Sequence, residues 1–228
     1  SQSASFRLSH STMNLKQYLI PQTLKRFRSQ YNNDIELVAF SGSTRLDMGG
    51  LTQSGEIIEK IWKKALDDLL PQDFSPHSIL LLGFGAGSAA HLVSRRWPKA
   101  HITGVEIDPI VIDIARKHFK INSIPHLTLH NQDALDFVNQ QDSQLQFDLT
   151  LVDCYLGDQF PPQLESLKFI KKLTQISPFV IINRLFWGKY QSLTLDFHHR
   201  LKPHFATSTT RTTSNYLISI QKQRGVGD

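Results

Sequence analysis

Hydrophobic and polar positions follow two periods along this chain. From Ser78 onward, short apolar runs alternate with segments of helical spacing, predicting strands at 79–83, 102–106, 127–130, 147–152 and 178–183. Helices are predicted near 87–97, 108–119, 133–140, 162–175 and 187–201. Asp108-Pro109 is a helix opening, a capping acid followed by proline at the first helical position. Such alternation implies a doubly wound α/β fold with a mainly parallel sheet covered on both faces. His204 to Thr210 and Ser214 to Gln221 are β-rich and joined by a polar turn, so they predict a closing antiparallel C-terminal strand pair.

The first quarter reads differently. Two strands, Ile35 to Phe40 and Ser43 to Met48, flank the turn Ser41-Gly42 and form a small N-terminal β-hairpin that Gly49-Gly50 ends. Ser54 can cap a helix running to Leu70, whose apolar face includes Ile57, Ile58, Ile61, Trp62, Ala65 and Leu66 and which Pro71 stops. Leu15 to Tyr31, with Leu15, Tyr18, Leu19, Leu24 and Phe27, reads as a short basic helix broken at Pro21. The expected division is therefore a tag remnant or processed end at 1–14, a helix-and-hairpin appendage at 15–53, and the α/β domain at 54–228.

The candidate chemistry lies between Ser78 and Phe119. Gly83, Gly85 and Gly87 alternate directly behind the run Ile79 to Leu82, where the chain must turn from a buried strand into a helix and let a ligand approach. Glu106 closes the next strand, 19 positions beyond Gly87, the distance at which a βαβ unit places an acid on ribose hydroxyls. A dinucleotide site prefers GxGxxG, and here the third glycine comes one position early. Gly83, Glu106, Asp133 and Asp153 all follow strands, so the carboxyl edge of the sheet should gather them in one cleft.

This glycine turn resembles the nucleoside loop of class I S-adenosylmethionine methyltransferases. HNQDALDFV, from His130 to Val138, is similar to the segment that hydrogen-bonds the adenine in that family, with Asp133 and Ala134 carrying the match. FDLTLVDCYLGDQFPP, beginning at Phe147, looks like the segment after strand four of spermidine synthase-like proteins, and Gln53 matches their hairpin glutamine. The resemblance runs from about Ile35 to Leu185 at the level of motifs. It implies a sheet of the class I methyltransferase type and S-adenosylmethionine, or decarboxylated S-adenosylmethionine, as cofactor. It also implies Asp153 as the carboxylate that orients and deprotonates an acceptor, with Asp158 attracting a cationic acceptor and Tyr155 supplying a hydroxyl or a stacking wall. Two positions depart from the aminopropyltransferase pattern: Ala86 stands where those enzymes keep an acid inside the glycine turn, and Ile57 where they keep a tyrosine. Methyl transfer to a small acceptor, with an amine among the candidates, is therefore the expected reaction. Aminopropyl transfer to a polyamine and a non-catalytic nucleoside-binding module are the alternatives.

Composition narrows the setting. With 228 residues, 40% hydrophobic and 20% charged, the chain has the make-up of a soluble domain, and no apolar run approaches the ~18 residues that span a bilayer. Neither a membrane nor a signal peptide is expected, and a cytosolic location follows from that expectation. The single cysteine, Cys154, excludes an internal disulfide and reads as a buried structural residue. The net charge of +5 comes mainly from the two ends, without the dense basic block and interleaved aromatics that would indicate nucleic acid. His198-His199 lacks the spacing of a helical metal site, so no metal is expected. The partner expected is a small-molecule acceptor, and the resemblance is compatible with a homodimer.

Overall fold

The structure is a computed structural model that describes residues 20–142 and 146–223. The 1–14 segment and the start of the N-terminal helix expected from Leu15 lie outside the described residues. Among those described, β5 (Ser78–Leu82), β6 (His101–Glu106), β7 (Leu127–Asn131), β8 (Leu149–Val152), β9 (Phe179–Leu185), β10 (Phe205–Arg211) and β11 (Asn215–Lys222) form one sheet, ordered β10-β11-β9-β8-β5-β6-β7. The β5–β6, β6–β7, β5–β8 and β8–β9 pairs are parallel, whereas β11 runs antiparallel to both β9 and β10. All four residues of β8 are buried, as are four of the five in β5, because helices cover both faces of the sheet. Chain order reverses at β5, which has β6 on one side and β8 on the other. A crevice opens at such a switch point, beyond the carboxyl ends of the strands.

Helix α1 (Glu56–Leu69) buries Ile61, Trp62, Ala65 and Leu66. It is followed by α2 (Ser88–Arg96), α3 (Pro109–His118), α4 (Ala134–Asn139), α5 (Leu167–Ile176) and α6 (Tyr190–Leu201). Asp108 caps α3 as expected, its Oδ1 accepting from the Ile110 N–H at 3.0 Å. Two helix starts differ from the sequence reading. Ser54 does not cap α1; its buried Oγ accepts from the Leu46 N–H at 2.8 Å, and Gly55, at φ +100°, precedes the helix. The helix expected from residue 162 is a 3-10 turn over Pro162–Glu165 that stops at Ser166, whose hydroxyl then caps α5 by accepting from the Phe169 N–H.

The larger correction lies upstream. The stretch read as a broken basic helix contains β1 (Gln22–Phe27), paired antiparallel with β2 (Ile35–Phe40), which pairs in turn with β3 (Ser43–Met48). Nor does Gly49-Gly50 end the assembly, because Leu51–Thr52 returns as β4 beside β3. Proline at 21 blocks helix propagation, and the open edge of β2 offers a ladder that an isolated short basic helix cannot match. Four of the six β1 residues are exposed, as an edge strand permits, and Arg26 pairs with Glu36 across the ladder at 2.7 Å. Ile35, Leu37, Leu46 and Met48 pack this small sheet onto Ala86, Val111 and Ile114 of the larger domain. It thereby becomes a wall of the crevice.

Candidate functional site

The glycine turn leads directly from β5. Gly83, Gly85 and Gly87 take φ values of +78°, +56° and +88°, a region that side chains with a Cβ rarely adopt. A Cβ on Gly83 would also lie 2.4 Å from the Asp153 carbonyl oxygen. The turn and the end of β8 can approach each other only because that position is bare.

Above the turn lies a cleft of about 170 Å³, to which Gly83, Gly85, Glu106, Asp133, Ala134, Asp153, Tyr155 and Gln53 contribute walls. Gly87 stands one step back, heading α2. Tyr31, Asn32 and Met48 close the cleft from the small sheet. Among the described residues its lining contains three carboxylates, Glu106, Asp133 and Asp153, and no lysine or arginine. Such a field favours a cationic ligand.

Each carboxylate is held differently. Glu106 accepts from the Gly85 N–H through Oε2 at 2.8 Å and from the Asp108 N–H through Oε1 at 3.0 Å. Each oxygen retains a lone pair, enough to accept two further hydroxyl hydrogens. Burial raises its pKa, an effect these two backbone N–H groups oppose. Asp133 caps α4, its Oδ1 accepting from the Leu135 and Asp136 N–H groups at 2.7 and 3.1 Å.

Asp153 caps no helix. Its Oδ2 accepts from the indole N–H of Trp62 at 3.1 Å and its Oδ1 from the amide of Asn183 at 2.9 Å. Desolvation raises its pKa to about 6, against the lowering effect of those two donors. The folded protein thus binds more protons here than the unfolded chain between pH ~4 and ~6, so this group's contribution to stability falls as pH rises through that window and is level above it. Melting temperatures measured across the window should show this decline in the wild type and lack it in Asp153→Asn.

Tyr155 stands beside Asp153 as a partition. Its hydroxyl accepts from the Leu185 N–H at 2.8 Å and donates to the Asn183 carbonyl at 3.4 Å, while its ring meets Phe160 edge to face. Asp158 is placed elsewhere. A tight turn, with reciprocal backbone bonds between Leu156 and Gln159, carries it into a neighbouring cavity, where it accepts from the Tyr190 hydroxyl and lies 3.6 Å from Lys189. Cys154 is buried and its thiol pKa is pushed up by desolvation and nearby acids, which leaves it inert as a nucleophile.

Sequence reasoning missed the groups that hold Asp153. The helical period places Trp62 on the apolar face of its helix, which suits the ring and overlooks the N–H. Asn183 did leave a signal, being a lone amide within the apolar run of β9. It accepts in turn from Asn215 at 2.9 Å, and Ser214 bonds to the Asn215 amide oxygen at 2.7 Å, extending the chain of polar contacts to the neighbouring strand β11.

Residues 79–173 match the methyltransferase domain family. The chain is 26% identical over 163 residues to the polyamine aminopropyltransferase of Vibrio vulnificus, an alignment that covers 66% of this chain and 54% of that protein. The solved spermidine synthase of Thermotoga maritima superimposes with a TM-score of 0.68 at 15% identity, covering 89% of this chain and 73% of that one. The chain has the class I methyltransferase fold, and in sequence it is similar to a polyamine aminopropyltransferase. A second solved structure, human methyltransferase-like protein 13 in complex with SAH, superimposes with a TM-score of 0.56 at 24% identity over 66% of this chain and 74% of that one. The chain spans about half the length of the Vibrio relative, 54%. Among the described residues no helix is long and apolar enough to cross a membrane.

Proposed function

We propose that this protein binds S-adenosylmethionine in the acid-lined cleft and transfers its methyl group to a small acceptor positioned by Asp153. The observation that carries this reading is the convergence of Glu106, Asp133 and Asp153 in one cleft without a lysine or arginine in its lining. Bound there, a sulfonium would supply an electrophilic methyl group and a positive charge that is lost on transfer. Free lone pairs on Glu106 suit the two ribose hydroxyls, and Ala134 offers an apolar surface for the base. The first turn of α2, at Ser88 and Ala89, lines the same cleft and suits the carboxylate of the amino-acid end. Asp153, ionised above its raised pKa, takes or orients the proton of the attacking group.

Aminopropyl transfer is the second reading, supported by the likeness to the Vibrio enzyme. Ala86 argues against it. Its side chain is 1% exposed, packed with Ile35, Leu37 and Met48, so the turn offers no acid to a cofactor whose amine lacks a carboxylate partner.

Calorimetric titration with S-adenosylmethionine, its decarboxylated form, methylthioadenosine and NAD tests the reading. S-Adenosylmethionine should bind at least as tightly as the decarboxylated compound, and NAD should not bind at micromolar concentrations. Glu106→Ala should weaken nucleoside binding by roughly 1–3 kcal/mol, the cost of leaving buried polar partners unpaired. Binding of NAD alone, or affinity unchanged by Glu106→Ala, would overturn the assignment. A clear preference for the decarboxylated compound, with spermidine formed from putrescine, would establish the second reading instead.

A further inference from the structure

Asp153 borders two cavities. Beyond the cleft, a second hollow of about 150 Å³ lies between α1, β9 and the start of β11, and it shares Gln53, Ile58, Asp153 and Tyr155 with the cleft. An acceptor entering from this side reaches the carboxylate without crossing the space assigned to the nucleoside. The hollow is mainly apolar, with Leu51, Ile57, Ile61, Leu185 and Trp187 in its walls. Among the described residues, Asp153 is the one carboxylate in its lining. Of the three amides that also line it, Asn183 donates to Asp153, Asn215 donates to Asn183 while accepting from Ser214, and Gln53 donates to the Gly157 carbonyl at 3.4 Å. Ile57 and Trp187, 54% and 42% exposed, lie at the solvent side.

A dication enclosed here would place one charge on Asp153 and the other against hydrocarbon, at a desolvation cost that no carboxylate offsets. A molecule with one basic nitrogen and a compact apolar body incurs no such cost. An apolar cavity of ~150 Å³ accommodates a benzene-sized body. We propose, building on the methyl-transfer reading, that the acceptor is an apolar primary monoamine, with its nitrogen at Asp153 and its hydrocarbon body against Ile57, Ile61, Leu185 and Trp187, and that the hollow discriminates against diamines. The ammonium gives one proton to the Asp153 carboxylate. The freed nitrogen lone pair then forms the bond to the methyl carbon, the carbon–sulfur bond breaks with its electron pair going to sulfur, and Asp153 passes its proton to solvent. The products are a singly methylated ammonium and a neutral thioether.

The test uses the full 228-residue chain with benzylamine and putrescine as probes. Binding is read by ligand-observed saturation-transfer NMR and titration, with and without S-adenosylhomocysteine. Benzylamine should bind at least tenfold more tightly than putrescine, and N-methylbenzylamine should form when S-adenosylmethionine is supplied. Ile57→Asp, a substitution at an exposed rim position, should supply the missing acid and reverse the preference by at least tenfold. Putrescine binding as tightly as benzylamine to the wild type, failure of both to bind, or an unchanged preference in Ile57→Asp would each overturn the proposal. The two readings fail separately: loss of the cofactor assignment appears in the calorimetry, whereas the amine preference is measured on the chain without cofactor as well.

Discussion

Asp153→Asn should slow transfer by about 10²–10⁴, the range for removal of a positioned general base, while leaving cofactor affinity nearly unchanged. The amide retains the shape of the side chain and cannot take a proton. It also replaces one of two acceptor oxygens with a donor, so either the Trp62 N–H or the Asn183 amide loses its present partner. That mismatch costs about 1–3 kcal/mol, offset in part by removal of a desolvated charge. Turnover must therefore be measured per folded molecule. In the wild type the rate should rise with pH up to about 6, where the carboxylate becomes ionised, and then level off; the variant should lack this limb. Activity and this group's contribution to stability thus move in opposite directions across the same interval. Unaltered turnover per folded molecule would remove Asp153 from the chemistry.

Gly83→Ala carries the second large effect, and it bears on the fold before the chemistry. A left-handed φ of +78° costs an alanine ~1–2 kcal/mol, and a Cβ placed 2.4 Å from the Asp153 carbonyl adds an overpacking cost of ~1–3 kcal/mol. The total of about 2–5 kcal/mol is a large share of the ~5–15 kcal/mol available to a typical domain. For a domain of this size it corresponds to a fall in Tm of roughly 4–20 °C. Gly50→Ala is the control, since Gly50 has φ +77° but no atom within 4 Å of the added Cβ. It should show the backbone cost alone. Equal losses in the two variants would contradict the close approach of the glycine turn to β8.

The parallel core was legible in the sequence because its strands are buried on both faces and bounded by helical periods, so two signals agree at each element. The positions of Gly83, Glu106, Asp133 and Asp153 followed from that topology, which brings strand ends together irrespective of loop detail. What could not be read depended on partners remote in sequence. β1 is an exposed edge strand whose identity comes from pairing with β2, and its few apolar residues imitate a helical spacing. Asp158 lies five residues from Asp153, but the Leu156–Gln159 turn directs it toward Tyr190. Trp62 and Asn183 meet Asp153 across 91 and 30 residues, with no local pattern to announce either contact.

Asp108 has a consequence for engineering the chain. Its carboxylate caps α3 through one oxygen, and through the other it accepts from Asn32 and Ser29 in the loop of the small sheet, while its own N–H holds Glu106. A truncation that removed the first two strands would leave a fully buried acid short of two donors, beside the proposed ribose anchor, and strip the apolar cover from Val111 and Ile114. A minimal nucleoside-binding fragment therefore has to begin upstream of Ser29, and a fusion partner is better joined before β1 than between β4 and α1.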